Sequence, residues 1–113
     1  MADITDKIYD EVSPTGTTYS NKFSMKKASL FSLHIINSGL TGTLTLWESN
    51  LPDPATDSVT DWVENTDVTF TALAGASTEF INAGNCAARW YMVRYAHGSG
   101  TANMEIWANF GEA

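Results

Sequence analysis

Residues 87–96 read AARWYMVRYA and are predicted to form the central strand of the fold. Aromatic and β-branched side chains dominate this segment, and such side chains fit the pleated surface of a sheet better than a helix. Alternate residues face opposite sides, so Tyr91 and Val93 share one face while Trp90 and Met92 share the other. A strand that is apolar on both faces lies in the middle of a sheet with a cover on each side. The core is one cover, and the nature of the other is the main functional question.

The alternation of apolar and polar residues predicts further strands on both sides of this segment. Turns rich in Gly, Pro and Asn separate them, and no long helix is predicted. This pattern is typical of an all-β, single-domain antiparallel β-sandwich of jelly-roll type. The further predicted strands cover residues 17–25, 29–36, 42–48, 67–73, 77–81 and 102–110. The predicted core residues are Phe31, Leu33, Ile35, Leu44, Leu46, Tyr91, Val93, Met104, Ile106 and Phe110.

Residues 1–28 are predicted to form an N-terminal arm or edge segment beside a β-sandwich domain of residues 29–113. The spacing of Ile4, Ile8 and Tyr9 fits both a helix and an irregular edge strand. These side chains are too apolar for a free tail, so they cover their own domain or cross to a neighbouring subunit. We expect a chain that lacks residues 1–12 to keep a folded β-domain and to associate more weakly.

The composition restricts the class of function. A chain of 113 residues forms one domain, and its formal charge of −7 opposes binding to nucleic acid. The first residues lack the pattern of a signal peptide, and no apolar run reaches the length of a membrane span. A single cysteine, Cys86, excludes an internal disulfide and favours a reducing cytoplasm. The chain is therefore expected to bind neither nucleic acid nor membrane.

The candidate residues for chemistry form no recognisable motif. Cys86, His34 and His97 are the possible nucleophile and bases, but no third orienting group is placed by the sequence. The acids of the longest polar connection lack the spacing of a calcium loop. We therefore expect a non-enzyme that needs no cofactor and no metal. These acids are Asp53, Asp57, Asp61, Glu64 and Asp67.

The outward aromatic residues favour a binding surface instead. Trp47 and Trp107 alternate with core positions, so they are expected to point away from the core. If Tyr91 and Val93 point inward, then Trp90 and Met92 also point outward, and together these side chains form an apolar patch. The predicted binding residues are Trp47, Trp90, Met92, Trp107, Ile4, Ile8 and Tyr9.

Four segments resemble small β-sandwich structural proteins of tailed bacteriophages. They are GTLTLWESN at 42–50, DWV at 61–63, RWYMVRY at 89–95 and GSGTANMEIW at 98–107, within a similarity that spans roughly residues 29–110. The resemblance implies a capsid decoration, or cement, protein that binds the outside of an icosahedral head.

The same resemblance implies the partners and the place of action. The partner would be the major capsid protein, the chain would be a homo-oligomer (dimer or trimer), and it would be made in the host cytoplasm before it joins the virion. The alternative is a carbohydrate- or receptor-binding module of a phage tail or fibre, in which exposed rings stack on sugars.

Overall fold

The computed structural model describes residues 4–24, 28–83 and 87–112, with side chains for 6–24, 30–83 and 87–109. Within these residues the chain forms ten β-strands and no helix. The described residues therefore contain no helix that could span a membrane. The strands are β1 (Ile4–Val12), β2 (Thr18–Tyr19), β3 (Phe23–Ser24), β4 (Ala28–Asn37), β5 (Thr41–Ser49), β6 (Val63–Asn65), β7 (Leu73–Ala74), β8 (Ser77–Ala83), β9 (Trp90–Ser99) and β10 (Asn103–Glu112).

The strands form two antiparallel sheets that pack face to face. Sheet A has the order β1-β10-β4-β8, and sheet B has the order β2-β9-β5-β6, with β3 also on β9 and β7 also on β5. If β2 with β3 and β6 with β7 each count as one interrupted strand, eight positions follow the two Greek keys of a jelly roll. The predicted β-sandwich is confirmed, and its strand order is that of a jelly roll.

The core lies between the inner faces of the two sheets. Alternate residues of β4 and β10 point inward from sheet A, and alternate residues of β5 and β9 point inward from sheet B. Nine of the ten predicted core residues are no more than 4 % exposed, while the side chain of Phe110 lies outside the described ones. The nine are Phe31, Leu33, Ile35, Leu44, Leu46, Tyr91, Val93, Met104 and Ile106.

Residues 4–24 are part of the sandwich, and of the two forms predicted for the N-terminal segment, arm or edge segment, β1 takes the second. β1 is an irregular edge strand that pairs with β10, and its register shifts between Lys7 and Tyr9. This bulge lets two successive side chains, Ile8 and Tyr9, enter the core at 2 % and 3 % exposure. Phe23 of β3 contacts the Phe31 ring with centroids 5.1 Å apart. The N-terminal segment packs within the sandwich because its apolar side chains complete the core between the two sheets.

Two predicted strands are interrupted where backbone N–H groups donate to side chains. Between β2 and β3, the Ser20 hydroxyl accepts the N–H of Val93 at 2.9 Å. After β6, the Asn65 side-chain oxygen accepts the N–H of Asp67 at 2.9 Å and that of Val68 at 3.3 Å. Such a turn replaces strand pairing, so residues 66–72 are irregular rather than the strand expected there.

Candidate functional site

Residues 50–62, which connect β5 to β6, form a loop over the outer face of sheet B, here called the cover loop. Its residues Val59 and Trp62 surround a small cavity together with Trp47 and Met92 of the sheet. As a result Met92 is only 2 % exposed, and Trp47 is half-buried. The cover on the outer face of β9, which the sequence left unidentified, is therefore this loop of the same chain.

A short network of hydrogen bonds holds the cover loop in shape. The Trp62 indole N–H donates to the Ala55 carbonyl oxygen at 2.8 Å. The Ala55 N–H in turn donates to the Asp61 carboxylate at 2.9 Å. Because Trp62 is buried, its ring fills the space between loop and sheet while its only polar atom is satisfied.

Lys22 fastens the start of the loop to the sheet. Its ammonium donates to the Asp53 carboxylate and, at 2.8 Å, to the Pro54 carbonyl oxygen. The same ammonium lies 5.0 Å from the centroid of the Trp90 ring, whose indole N–H donates to the Pro52 carbonyl oxygen at 3.3 Å. The hydrogen bond from Lys22 lowers the pKa of the Asp53 carboxyl.

The predicted binding residues of sheet B thus have partners within the chain. The Arg94 guanidinium lies 5.3 Å from the centroid of the Trp47 ring, and the indole N–H of Trp47 donates to the Thr45 hydroxyl at 2.8 Å. The expected exposure of Met92 is wrong, because the cover loop buries it. A binding role for the half-buried Trp47 and Trp90 stays a prediction.

The two histidines considered for chemistry lie on different sheets. His34 lies on sheet A and His97 on sheet B, so their strands do not pair. The Nδ1 atom of His97 is 2.8 Å from the Tyr95 hydroxyl oxygen. Cys86 lies outside the described residues. No group of three or more His, Cys, Asp or Glu side chains suited to a metal ion occurs in the part of the chain that the structure describes.

Among the described residues, no loop covers the outer face of sheet A in this way. Its register places Lys7, Trp107, His34 and Phe80 side by side in one row across β1, β10, β4 and β8. Ile36 stands in the next row, two residues along β4 from His34. We call this surface the exposed face; its residues are Lys7, Leu30, His34, Ile36, Phe80 and Trp107.

The rings of the row stay accessible on the β4 and β8 side. Phe80 is 60 % exposed, and its ring lies 5.9 Å from that of His34 at an interplanar angle of 60°. The Trp107 ring is half-buried, because the Lys7 ammonium lies 5.2 Å from its centroid. Its indole N–H donates to the Glu105 carboxylate at 3.0 Å.

Polarity changes across the exposed face. Next to the row of rings, the register aligns Asp10, Glu105, Ile36 and Thr78 across the four strands. In this row the charged groups lie on β1 and β10, while the uncharged Ile36 and Thr78 lie on β4 and β8. Ile36 is 40 % exposed and Leu30 of β4 is 51 % exposed. An apolar patch with a charged rim on one side is typical of a docking surface.

The sequence identified one residue of this surface and missed the others. Trp107 lies on it as predicted, whereas Ile8 and Tyr9 are buried in the core of their own domain, which is one of the two places expected for them. The side chain of Ile4 lies outside the described ones. Because the predicted core residues Leu33 and Ile35 point inward, alternation puts His34 and Ile36 on the outer side of β4. Phe80 was missed because Phe80 and Ile81 are adjacent, so the pattern does not say which points inward.

No protein-family model and no curated protein sequence matches the chain. Among solved structures, the SPBc2 prophage-derived protein YomS is similar, with a TM-score of 0.64 over 96 % of this chain and 92 % of that one. The two sequences are 8 % identical, so the likeness shows the shared fold alone.

Two other solved structures are more distant. The K1 cleaved adhesin domain of Lys-gingipain from Porphyromonas gingivalis W83 has a TM-score of 0.48 at 3 % identity over 86 % of this chain and 63 % of that one. The infectious bursal disease virus Gt strain structure has a TM-score of 0.28 at 13 % identity over 98 % of this chain and 37 % of that one. Neither carries an argument about function.

Proposed function

We propose that the chain is a structural protein of a tailed bacteriophage virion, which decorates the head by docking its exposed face on the major capsid protein. The observation that carries this proposal is the asymmetry between the two sheets. The chain covers the outer face of sheet B with its own loop, but it leaves Phe80, Ile36 and Leu30 on sheet A in solvent. The other exposed large apolar side chains lie on edge strands or on the cover loop, not in neighbouring rows of one sheet face; they are Val12, Leu51, Val59 and Val63. Exposed apolar groups gathered on one sheet face favour a protein partner.

The fold and the sequence resemblance support a role in the virion. One structure that is similar over most of both chains comes from a prophage-derived protein. The resemblance to phage β-sandwich structural proteins points in the same direction. A jelly roll hosts many functions, so the exposed face rather than the fold selects the docking role.

The physical effect of docking would be to stabilise the shell. A protein that binds the assembled head but not its separated subunits adds its binding free energy to the cost of opening the head. Side chains such as Phe80 contribute because their apolar area leaves water on binding, at roughly 25 cal/mol per Å². This role requires neither catalysis nor a cofactor or metal.

The test uses shells assembled from the major capsid protein encoded in the same genome as this chain. The purified chain is mixed with the shells, and bound protein is measured by co-sedimentation and located by cryo-electron microscopy. The proposal predicts saturable binding, density on the outer surface and a higher melting temperature of the shell. Shells that neither bind the chain nor gain stability would contradict it.

The row of rings gives a second candidate, a carbohydrate-binding face. Phe80 and Trp107 stand two strands apart with His34 between them, close to the length of two linked sugar rings. Asn82 and Ser32 in the neighbouring row offer hydrogen-bonding groups for hydroxyls. Binding on a glycan array that Phe80→Ala abolishes, together with failure to bind shells, would favour this candidate over decoration.

A further inference from the structure

A sheet edge presents unpaired backbone N–H and C=O groups, and proteins protect long edges against pairing with other chains. In the described residues, the β1 edge is protected by its bulge and by Asp6, Lys7, Asp10 and Glu11. Asp6 and Glu11 stand opposite the inward-facing Ala108 and Met104, so two charges occupy inward register positions. Such inward charges disfavour addition of another strand.

The edges of sheet B are protected by their shortness. β2, β3 and β7 each contain two residues, and β6 contains three. A foreign strand finds few neighbouring backbone groups on such edges, so it would gain few hydrogen bonds there.

The edge strand β8 is neither short nor bulged, and it carries one inward charge, Glu79, where β1 carries two. It runs for seven residues, STEFINA, and pairs with β4 without a register shift. Residues 77–82 have no second partner strand in the described parts of the chain. The one charged side chain of β8, Glu79, turns to the inner side, where its carboxylate accepts the N–H of Thr71 at 3.0 Å. Thr78, Phe80 and Asn82 form an uncharged outer side, and all three are exposed.

We infer that β8 is an association edge whose partner is a second copy of this chain, added antiparallel about a two-fold axis beside Phe80. This inference does not depend on the proposed capsid role. An isologous contact requires a segment that is complementary to itself, and β8 meets this requirement around Phe80. Thr78 then stands opposite Asn82 of the second copy, Glu79 opposite Ile81, and Phe80 opposite Phe80.

The backbone can form hydrogen bonds in this register whichever set of alternate residues directs its N–H and C=O groups outward. Alternate residues of an edge strand direct both backbone groups outward. If Phe80 does so, it pairs with Phe80 of the second copy. If Glu79 and Ile81 do so, they pair with each other across the axis. The four-stranded sheets of the two copies thus join into one continuous sheet.

Charge and apolar area both favour this edge for a second copy. Two chains that each carry −7 repel one another, so contact is least costly where no acid faces the partner. The outer side of β8 is such a place, whereas the β1 edge carries three acids and one lysine. Pairing also brings the two Phe80 rings together, next to the apolar half of each exposed face.

The experiment is sedimentation equilibrium of the full chain at concentrations up to about 1 mM. Two double variants alter the same two exposed positions. In T78K/N82K, like charges face each other across the axis. In T78K/N82E, the introduced lysine of each copy faces the introduced glutamate of the other. Circular dichroism and the melting temperature check that both variants keep the wild-type fold.

The inference predicts a concentration-dependent dimer of the wild-type chain. T78K/N82K should weaken its dissociation constant by about tenfold, and T78K/N82E should restore it to within about threefold of the wild-type value. The added lysines reduce the net negative charge of T78K/N82K, so general repulsion cannot explain its weaker association. A wild-type chain that stays monomeric at about 1 mM overturns the inference. Two variants that behave alike also overturn it.

Amide hydrogen exchange locates the contact independently. In the wild-type chain, exchange over residues 78–82 should slow as concentration rises, whereas exchange over residues 6–12 of β1 should not change. Slowing over β1, or over neither edge, would place the contact elsewhere and overturn the inference.

Discussion

The indole N–H of Trp62 donates to the carbonyl oxygen of Ala55 at 2.8 Å, and this bond closes the cover loop over Met92. The loop is therefore a packed layer of the protein. Trp62→Ala should lower the free energy of unfolding by about 3 kcal/mol, because it removes a buried ring and exposes the surface beneath it. Urea unfolding followed by far-ultraviolet circular dichroism measures the change.

Trp62→Phe is the matched control for this change. It keeps most of the apolar cover and removes one of two donors to the Ala55 carbonyl oxygen, which still accepts the Ser58 N–H at 3.1 Å. The expected cost is about 1 kcal/mol. If Trp62→Ala costs no more than Trp62→Phe, the ring does not pack on the sheet and the cover loop is not a structural layer.

The bulge in β1 predicts that the N-terminal strand is essential to the fold. Ile8→Ala should cost about 2–4 kcal/mol, since Ile8 is buried in the core. Val12→Ala in the same strand should cost less than about 0.5 kcal/mol, since Val12 is 73 % exposed. Removal of residues 1–12 should unfold the domain, contrary to the expectation from sequence. A truncated chain with a cooperative melting transition would show that β1 is dispensable.

The Tyr9 hydroxyl predicts a loss of stability at high pH. Burial raises the pKa of Tyr9 to about 12, although its hydrogen bond to the Thr18 hydroxyl at 2.6 Å lowers it. The folded state then holds this proton more tightly than the unfolded state, whose tyrosine titrates near its ordinary pKa of about 10. The contribution to stability is complete below about pH 10 and is lost as pH rises towards about 12.

Tyr9→Phe isolates this effect, because Tyr95, whose pKa burial also raises, remains in both proteins. The difference in free energy of unfolding between wild type and variant should be constant up to about pH 10 and should then shrink. A difference that stays constant up to about pH 12 would show that the Tyr9 hydroxyl does not titrate differently on unfolding.

Much of the fold follows from local alternation in the sequence. Leu33 and Ile35 in β4, and Met104 and Ile106 in β10, are separated by residues that face the other way, so their inward face was predictable. The path of the N-terminal segment was not. A one-residue bulge at Ile8 breaks the period of two, and without β10 beside it the sequence does not show where the bulge falls.

The candidate site was less predictable because it depends on contacts between distant residues. Trp47, Trp90 and Trp107 look alike in sequence, since each alternates with core positions. Only the tertiary structure shows that the cover loop packs over the face that carries the first two. Strand propensity does not predict this cover over sheet B, because the cover comes from an irregular loop held by Lys22 and Trp62.

The central claim is that the exposed face of sheet A, rather than a surface of sheet B, docks on the capsid shell. Ile36→Asp and Val63→Asp test it as a matched pair, because each adds one negative charge at an exposed β-branched residue. Ile36 belongs to the exposed face, whereas Val63 lies in β6 of sheet B. Both variants should fold, since neither side chain is buried.

Binding of the two variants to assembled shells is the most direct measurement. Ile36→Asp should weaken binding by about tenfold or more, because a charge enters the apolar part of the interface, while Val63→Asp should stay within about twofold of wild type. Wild-type binding by Ile36→Asp, together with a loss of binding by Val63→Asp, would contradict the account and move the docking surface to sheet B.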